Sequence, residues 1–263
     1  MWITRNFNTH QQEYKIDRKI LETKGVEHKL ELFSSTSFSQ IALIDDEVLL
    51  QNTLFTQSEL LAHIAACSHK EPKRVLIAGS FNLEIAYEFL KHSDLAVDFL
   101  QFDLKILESL ISFLPHYKEV MDSNRFKLIP QLDREFLSQN TNNAAQYDII
   151  ICLNKNFSEF KNLLNDNGIL ITKSPQILLQ TSEVKATLES LGDFRVKMPF
   201  FAPLSLQLEC YIFASKSYHP TADIQLQKAD MLENLSYYHA NLHLSAFVLP
   251  KAIKATLFGA ARN

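Results

Sequence analysis

Polar side chains follow two short apolar runs in the stretch that ends at Asp103. The first run stops at Gly79, and the second is followed by Gln101 and then Asp103. Because ligands of parallel sheets bind beyond the carboxyl ends of the strands, we expect chemistry at these residues. A loop that holds a pyrophosphate carries several glycines, whereas this turn has one and places Phe81 beside it. The turn therefore indicates either a small nucleoside without phosphates or an ordinary turn of an α/β protein.

The spacing of apolar residues around Gly79 predicts a strand–helix–strand unit. Residues 74–78 form a β-branched apolar run that is typical of a buried parallel strand. Helical spacing begins at Leu83. Strands are predicted at 74–78, 96–102, 126–129, 147–153, 169–172, 194–200 and 209–215, and helices at 58–68, 83–90, 104–113, 157–164 and 176–191. Seven strands with an antiparallel hairpin at the end indicate a Rossmann-like fold of the S-adenosylmethionine-dependent type, rather than the two-halved dinucleotide fold.

The first part of the chain has a different pattern, with short alternating segments separated by turn signals. It predicts four to six short antiparallel strands. The fold class is therefore α/β, with a small N-terminal antiparallel β domain in residues 1–56 and a Rossmann-like seven-stranded domain in residues 57–263. The tail from residue 222 predicts helices that are interrupted at Pro250. We expect the exposed strand edges of the N-terminal domain to serve contact between copies in a homodimer or homotetramer, rather than catalysis.

The composition limits the class of partner. A chain of 263 residues, 46% of them hydrophobic, suffices for one large domain and a small appendage. A net charge of −4 argues against a nucleic-acid partner. No apolar run approaches the about 18 residues that cross a bilayer, so we expect no membrane partner. Three cysteines in apolar surroundings predict buried, reduced thiols in a cytoplasmic protein, rather than nucleophiles.

The tail carries the most specific motif. Residues 235–250 read LSYYHANLHLSAFVLP, which closely resembles the YYNxxIHxAAFxLP ending of the spermidine synthases, the polyamine aminopropyltransferases. The segments ELLAH (59–63), VLIAG (75–79), YDIII (147–151) and ASK (214–216) resemble further motifs of this family in the same order. The similarity covers nearly the whole chain and is greatest to the short, divergent members of the epsilon-proteobacterial type. Members of the family have an N-terminal β-sheet domain and a C-terminal Rossmann-like domain.

The resemblance implies a defined reaction. The aminopropyl group of decarboxylated S-adenosylmethionine passes to putrescine, and methylthioadenosine leaves. The implied partners are polyamine and nucleoside small molecules, and no cofactor beyond the co-substrate is implied. The attacking amine must be neutral, although an unperturbed alkylamine has a pKa of about 10. It must also lie in line with the sulfonium at about 3–3.5 Å.

The chain departs from the family where the family carries acidic residues. Asn82 stands at the aspartate of the glycine-rich turn, and Gln101 stands at the glutamate that grips the ribose. Gln131 lies near the adenine-side aspartate. Leu153 begins the segment that is DSSDP in the family, and Asn156 stands at its presumed base. Because an amide accepts a hydrogen bond without carrying charge, a nucleoside pocket survives this series, whereas a site for a dication is weakened.

The resemblance thus implies three sets of site residues. The co-substrate set is Gly79, Asn82, Gln101, Gln131 and Leu153. The catalytic set is Asn156, Glu59 and Asp103, and the amine-binding set is Glu59, Glu209 and Tyr211. Two of these residues also have simpler interpretations: Glu59 as a favourable charge at the start of a helix, and Asp103 as the cap of the next helix.

Other functions stay open at this point. The replacement of carboxylates by amides also fits a weakened or inactive homologue that binds nucleoside or polyamine. A methyltransferase would need a cation for the methionine carboxylate, and no basic residue lies between Ala78 and Leu90. His239 and His243 have a spacing that can bind zinc, but the tail motif accounts for His243, so we expect no metal site.

Overall fold

The strands of the N-terminal part form two antiparallel sheets. The structure is a computed structural model that describes residues 1–6, 11–45, 47–140, 146–204 and 207–262. In the first sheet, β1 (Trp2–Asn6) pairs with β2 (Gln11–Lys15). The second sheet has the order β3 (Arg18–Lys24), β4 (Lys29–Ser35), β5 (Ser39–Ile44) and β6 (Glu47–Leu50). The prediction of four to six short antiparallel strands in this part is confirmed.

The remaining strands form one mixed sheet of seven strands. In chain order they are β7 (Arg74–Ala78), β8 (Ala96–Leu100), β9 (Phe126–Ile129), β10 (Tyr147–Cys152), β11 (Leu164–Ser174), β12 (Val196–Leu204) and β13 (Gln207–Ser215). Their order in the sheet is β12-β13-β11-β10-β7-β8-β9, and β7 to β11 are parallel. β13 runs antiparallel to both β11 and β12, which confirms the predicted fold class.

The helices cover both faces of this sheet. They are α1 (Leu54–Ser68), α2 (Glu84–Leu90), α3 (Leu104–Ser109), α4 (Tyr117–Met121), α5 (Asp133–Asn140), α6 (Phe157–Phe160), α7 (Thr181–Ser190), α8 (Leu226–Asp230), α9 (Ala240–Ala246) and α10 (Lys251–Thr256). α1 begins four residues before the predicted Ser58, whose hydroxyl donates to the Leu54 carbonyl inside the helix instead of capping its start. The sequence pattern did not predict α4 and α5. Pro250 immediately precedes α10, in agreement with the predicted interruption.

Alternate residues of the central strand face opposite halves of the core. Val75 and Ile77 belong to the cluster that includes most of α1, whereas Leu76 and Ala78 belong to the cluster on the other face. Leu30 and Leu32 of β4 belong to the first cluster as well, so the second N-terminal sheet packs on α1. The division of the chain at residue 56 stays a prediction. In the described ranges, no helix has the length and apolar character to cross a membrane.

The three cysteines are unpaired and buried. Burial raises the pKa of Cys67 to about 11, and it raises the pKa values of Cys152 and Cys210 to about 12. These thiols stay protonated at neutral pH, so none of them is a nucleophile.

Candidate active site

A cleft of about 740 Å³ lies at the carboxyl ends of β7, β8, β9 and β10. The residues that follow these strands line one wall, among them Gly79, Gln101, Leu153 and Asn156. All four were predicted from the sequence to lie in the site. The volume falls within the range of about 300–1,000 Å³ that is usual for small-molecule sites. The tips of the parallel strands therefore enclose space for a ligand.

The second N-terminal sheet and the hairpin between β3 and β4 supply the opposite wall. Its lining residues are Glu27, His28, Ile44, Asp45 and Glu47. The His28 ring lies edge-on to the Phe81 ring, with 5.1 Å between their centroids, and its Nδ1 lies 2.7 Å from a carboxylate oxygen of Asp45. We did not predict this contribution, because the sequence pattern suggested only a role in subunit contact.

Gly79 adopts a backbone conformation that other residues rarely take. Its φ is +75°, and a Cβ atom there would lie 2.0 Å from the Asn154 Oδ1 atom. The Leu153 amide donates to the Ala78 carbonyl over 2.9 Å, which holds the two loops together. Phe81 and Leu153 form walls of the cleft and leave it open, while Leu83 is buried in the core.

Gln101 connects two strand ends with its side-chain amide. Its Nε2 donates to the Ser80 carbonyl over 3.1 Å, and its Oε1 accepts from the Asp103 amide over 3.0 Å. An amide side chain has two N–H donors and two acceptor lone pairs, so one of each remains for a ligand hydroxyl. The Gln101 side chain, which was predicted to contact the co-substrate, is thus held at the cleft by both its nitrogen and its oxygen.

Asn82 and Tyr211 lie outside the residues that line the cleft and share a buried polar network. Asn82 Nδ2 donates to the Gln57 Oε1 atom over 3.2 Å and to the Ser58 Oγ atom over 3.0 Å. Gln57 Nε2 in turn donates to the Tyr211 hydroxyl. Burial raises the pKa of Tyr211 far above its usual value, and the Glu209 carboxylate adds to this shift. The phenol therefore stays protonated and cannot act as a base near neutral pH.

Asp103 holds the β3–β4 hairpin over the cleft. Its side chain is fully buried, and Oδ2 accepts from the amides of Val26, Glu27 and His28 over 2.9, 3.3 and 3.3 Å. Its Oδ1 packs so closely on Gly25 that a Cβ atom there would lie 2.1 Å away. The carboxylate predicted to be catalytic is therefore engaged with the backbone of the hairpin.

Glu59 is engaged in a similar way with the tail. Its side chain is 2% exposed, and its two oxygens accept from the amides of Ser236, Tyr237 and Tyr238 over 2.7–2.8 Å. A carboxylate with three backbone donors has little remaining capacity for a substrate ammonium. The structure thus places Glu59 as an anchor of residues 236–238 on α1, apart from the cleft.

Glu209 forms an ion pair instead of facing open space. Its Oε2 lies 2.9 Å from the Lys173 Nζ atom, which also lies 3.5 Å from Glu47 Oε1. Glu209 and Tyr211 thus lie near the carboxyl end of β11. Glu47, the other carboxylate near Lys173, lines the cleft.

Asp133 is a cleft carboxylate that sequence reasoning missed. It is the first residue of α5, and the side-chain amides of Asn154 and Asn156 both donate to its Oδ2 atom. Burial raises the pKa of Asp133 above its usual value, although the two amides act in the opposite direction. Gln131, the predicted residue two positions earlier, does not line the cleft and donates to Gln139 over 3.1 Å.

The tail motif, residues 235–250, forms buried hydrogen bonds that stabilise the C-terminal part of the chain. The Tyr238 hydroxyl lies 2.7 Å from His243 Nδ1, and His243 Nε2 lies 2.9 Å from the Pro220 carbonyl oxygen. Because the carbonyl can only accept, Nε2 carries the proton and Nδ1 accepts from the phenol. Both ring nitrogens of His243 are therefore occupied, and neither is open to the zinc ion considered above.

The amino-acid sequence is similar to those of known proteins. Residues 54–226 match the family model described as the spermine/spermidine synthase domain. The chain is 37% identical over 262 residues to a polyamine aminopropyltransferase of Helicobacter pylori (strain G27), with 97% of each chain covered. It is also 37% identical over 265 residues to the enzyme of the same name from Helicobacter acinonychis (strain Sheeba), with 98% of each chain covered.

The fold agrees with two solved structures. The structure of spermidine synthase from Thermotoga maritima superimposes with a TM-score of 0.88 at 19% identity, covering 98% of this chain and 94% of that one. A structure of spermidine synthase with the transition-state analogue AdoDATO superimposes equally well, with a TM-score of 0.88 at 20% identity and the same coverage. The match of the family domain and the relatives that are 37% identical confirm the predicted resemblance: the chain belongs to the spermine/spermidine synthase family.

Proposed function

We propose that this transferase moves the aminopropyl group of decarboxylated S-adenosylmethionine to a polyamine acceptor, with putrescine as the expected acceptor. The cleft at the strand tips carries this proposal, because it is large enough for the nucleoside and is lined by Gly79, Gln101 and Leu153. The relatives named polyamine aminopropyltransferase support an active enzyme over the inactive homologue considered above. In the reaction, the amine nitrogen bonds to the aminopropyl carbon, the carbon–sulfur bond breaks, and methylthioadenosine leaves.

Asp133 is the residue that we propose binds the nucleobase. It follows β9, on the side of the sheet where the resemblance places the adenine, and it faces the cleft. Its bonds from Asn154 and Asn156 fall on Oδ2, so Oδ1 is the oxygen that accepts from the adenine amino group. A hydrogen bond to an ionised acceptor is about twice as strong as one between neutral groups.

The test of this role is the affinity for methylthioadenosine. We expect Asp133→Asn to raise the dissociation constant at least tenfold, while the exposed Asp122→Asn control leaves it within twofold. Because a carboxyl group with a raised pKa loses its charge as the pH falls, binding to the unsubstituted protein should weaken toward acid pH. Binding to Asp133→Asn should not. Equal affinities of Asp133→Asn and the unsubstituted protein for methylthioadenosine at pH 7.5 would rule out this role.

At the position of the predicted base, no carboxylate is present to take the proton from the attacking amine. Asn156 lines the cleft but cannot take a proton, and Glu59 and Asp103 are held by backbone amides. We propose that the amine loses its proton to water in the cleft before it attacks. Asp103 and Glu59 then have positioning roles, through the hairpin and the tail respectively.

The activity itself is tested by incubating the purified protein with decarboxylated S-adenosylmethionine and putrescine. We expect spermidine and methylthioadenosine to form in equal amounts. Formation of neither product with putrescine, cadaverine or spermidine as acceptor would contradict the proposed function.

Assembly and location are proposed on separate grounds. We propose that two copies pair through the N-terminal sheets, because Trp2 and Ile20 expose apolar side chains there. Sedimentation equilibrium should give twice the monomer mass of 30.2 kDa.

We also propose a cytoplasmic location, which is supported by three buried thiols that remain unpaired.

A further inference from the structure

Three aromatic side chains line the cleft close to Gln101. Phe81 lies in the turn after β7, and Phe102 directly follows Gln101 at the end of β8. His28 lies on the opposite wall, immediately before β4. The centroid of the His28 ring lies 5.1 Å from that of Phe81 and 5.6 Å from that of Phe102. His28, Phe81 and Phe102 thus form one aromatic cluster that reaches from one wall of the cleft to the other.

The wall that carries His28 is acidic. The Nδ1 atom of His28 lies 2.7 Å from the Asp45 Oδ2 atom, and because a carboxylate oxygen accepts, the ring nitrogen carries the proton. The acidic side chain of Glu27 lines the same wall. Among the described residues that line the cleft, the arginine and lysine side chains, Arg134 and Lys155, follow β9 and β10 instead. The charges beside His28 therefore favour a cation at the aromatic cluster.

The order of the strand ends matches the order of the chemical groups in the nucleoside co-substrate. Asp133, which we propose binds the nucleobase, follows β9. Gln101, which has a donor and an acceptor left for a ribose hydroxyl, follows β8. The next strand in the sheet is β7. Because the sulfonium is bonded to the ribose on the side away from the nucleobase, it lies about one strand spacing further along, about 4.8 Å, at the turn that carries Phe81.

We propose that the aromatic cluster binds the positive charge of the sulfonium and so distinguishes the charged donor from the neutral thioether product. This inference rests on the proposed function. The face of an aromatic ring attracts a cation that lies within about 6 Å of its centroid. When the amine nitrogen bonds to the aminopropyl carbon, the electron pair of the carbon–sulfur bond passes to sulfur, and the positive charge moves to the nitrogen. The attraction at sulfur then ends, which favours release of methylthioadenosine.

The test compares two nucleosides that differ in the charge at sulfur, methylthioadenosine and its S-methyl sulfonium derivative. Calorimetry gives the ratio of their dissociation constants and needs no turnover. We expect the unsubstituted protein to bind the sulfonium at least fivefold more tightly than the thioether. Phe81→Leu keeps an apolar side chain but removes the ring, so it should lower this preference at least threefold and change the affinity for the thioether less than twofold. No preference in the unsubstituted protein, or an unchanged preference in Phe81→Leu, would overturn the inference.

Three further variants separate the effect of the ring from an effect on folding. Phe81→Tyr retains an aromatic face and should keep the preference, whereas Phe102→Leu should lower it. Phe55→Leu is the matched control, because Phe55 lies in α1, is 36% exposed and is not among the described residues that line the cleft. Melting temperatures show whether each variant folds, and Phe102→Leu supplies the ratio if Phe81→Leu does not. Loss of the preference in Phe81→Tyr, or an equal fall in Phe55→Leu, would contradict the inference.

Aminopropyl transfer, measured on the same proteins, separates this inference from the proposed function. If the unsubstituted protein transfers to no amine but prefers the sulfonium and loses this preference in Phe81→Leu, the proposed function fails and the role of the aromatic cluster stands. If it transfers to putrescine and the preference is equal in all the variants, the role of the aromatic cluster fails and the proposed function stands.

Discussion

At the scale of single residues, the site depends on the close contact between the turn after β7 and the loop after β10. Gly79 permits this contact because it has no side chain and takes a positive φ. Any larger residue must both adopt a strained backbone and displace Asn154, whose amide donates to Asp133. Gly79 therefore controls the position of Asn154 and, through its hydrogen bond, that of Asp133.

The first prediction concerns Gly79→Ala. We expect loss of measurable methylthioadenosine binding and a lower free energy of unfolding, since the left-handed conformation costs about 1–2 kcal/mol for alanine and the overlap with Asn154 adds to it. Gly259→Ala is the matched control, because φ is +84° there and no atom lies within 4 Å of the added Cβ. It should show the conformational cost alone, measured by urea unfolding. Equal losses in the two variants would contradict the proposed collision.

The second prediction concerns the missing base. In the structure, the Asn156 side-chain amide lies 3.5 Å from Asp133 Oδ2. Asn156→Asp would place a second carboxylate at this position, and repulsion between the two carboxylates should raise the pKa values of both. We expect at least a tenfold higher rate of transfer at pH 7, since a positioned base contributes about 10²–10⁴-fold. The rate of the unsubstituted enzyme should rise steadily toward the amine pKa of about 10, whereas that of the variant should level off earlier. The control is Asn162→Asp, an exposed position. Parallel pH profiles in all three proteins would show that a carboxylate at residue 156 does not act as the base, and a profile of the unsubstituted enzyme that levels off well below pH 10 would argue against loss of the amine proton to water.

At the scale of elements, the cleft exists because the β3–β4 hairpin is docked on the end of β8. Asp103 makes this contact with three backbone amides, and Lys105 adds a second one from its Nζ to the Lys24 carbonyl over 2.9 Å. The Asp103 side chain is buried and its bonds to the hairpin amides are partly buried, whereas the Lys105 contact is exposed. The two contacts differ in energy because water competes more strongly with the exposed one.

The third prediction follows from this difference. Asp103→Ala should release the hairpin, lower the free energy of unfolding by about 1.5–3 kcal/mol and raise KM for the nucleoside substrate at least tenfold. Lys105→Ala removes the exposed contact of the same hairpin and should change both values little. Hydrogen exchange at Val26 and His28 provides an independent readout of release. A normal KM together with fast exchange would show that the hairpin is not needed for nucleoside binding.

At the scale of the whole molecule, a buried polar cluster joins α1 to α2. His63 Nδ1 lies 3.1 Å from His92 Nε2, and His63 Nε2 lies 3.0 Å from a Glu88 carboxylate oxygen. Burial lowers the pKa of His63 to about 3 and that of His92 to about 2. Both histidines are therefore neutral in the folded protein at any pH near neutrality.

The fourth prediction is the pH dependence of stability. Below pH about 6.5 the unfolded chain binds protons at both histidines while the folded protein does not, so the free energy of unfolding falls as the pH falls. Burial raises the pKa of Glu88 above its usual value, so the folded protein binds this proton more readily than the unfolded chain does, which opposes the trend. His92→Gln should reduce the slope near pH 5 by about 1.4 kcal/mol per pH unit, the value of one proton. The exposed His239→Gln should leave the slope unchanged. A slope that His92→Gln does not alter would mean that His92 is protonated in the folded protein.

Local patterns explain what could be predicted. Short apolar segments predicted all seven strands of the large sheet, and the signal is strongest in β7 and β10, where burial on both faces leaves it in consecutive residues. The glycine turn and the residues after β8 and β10 then indicated the location of the cleft, since parallel strands bring their carboxyl ends together. Short helices such as α5 carry few apolar residues, and for that reason Asp133 was missed.

By itself, the sequence determined the fold class, the family and the edge of the sheet at which the cleft lies. Only the tertiary structure decided which carboxylates face that cleft and which are engaged elsewhere. Glu59 bonds to amides 177–179 positions away, Asp103 to amides 75–77 positions away, and Glu209 to a lysine on a neighbouring strand. The periodicity of a strand depends on adjacent residues, whereas the partner of a buried charge depends on which distant segments pack against it.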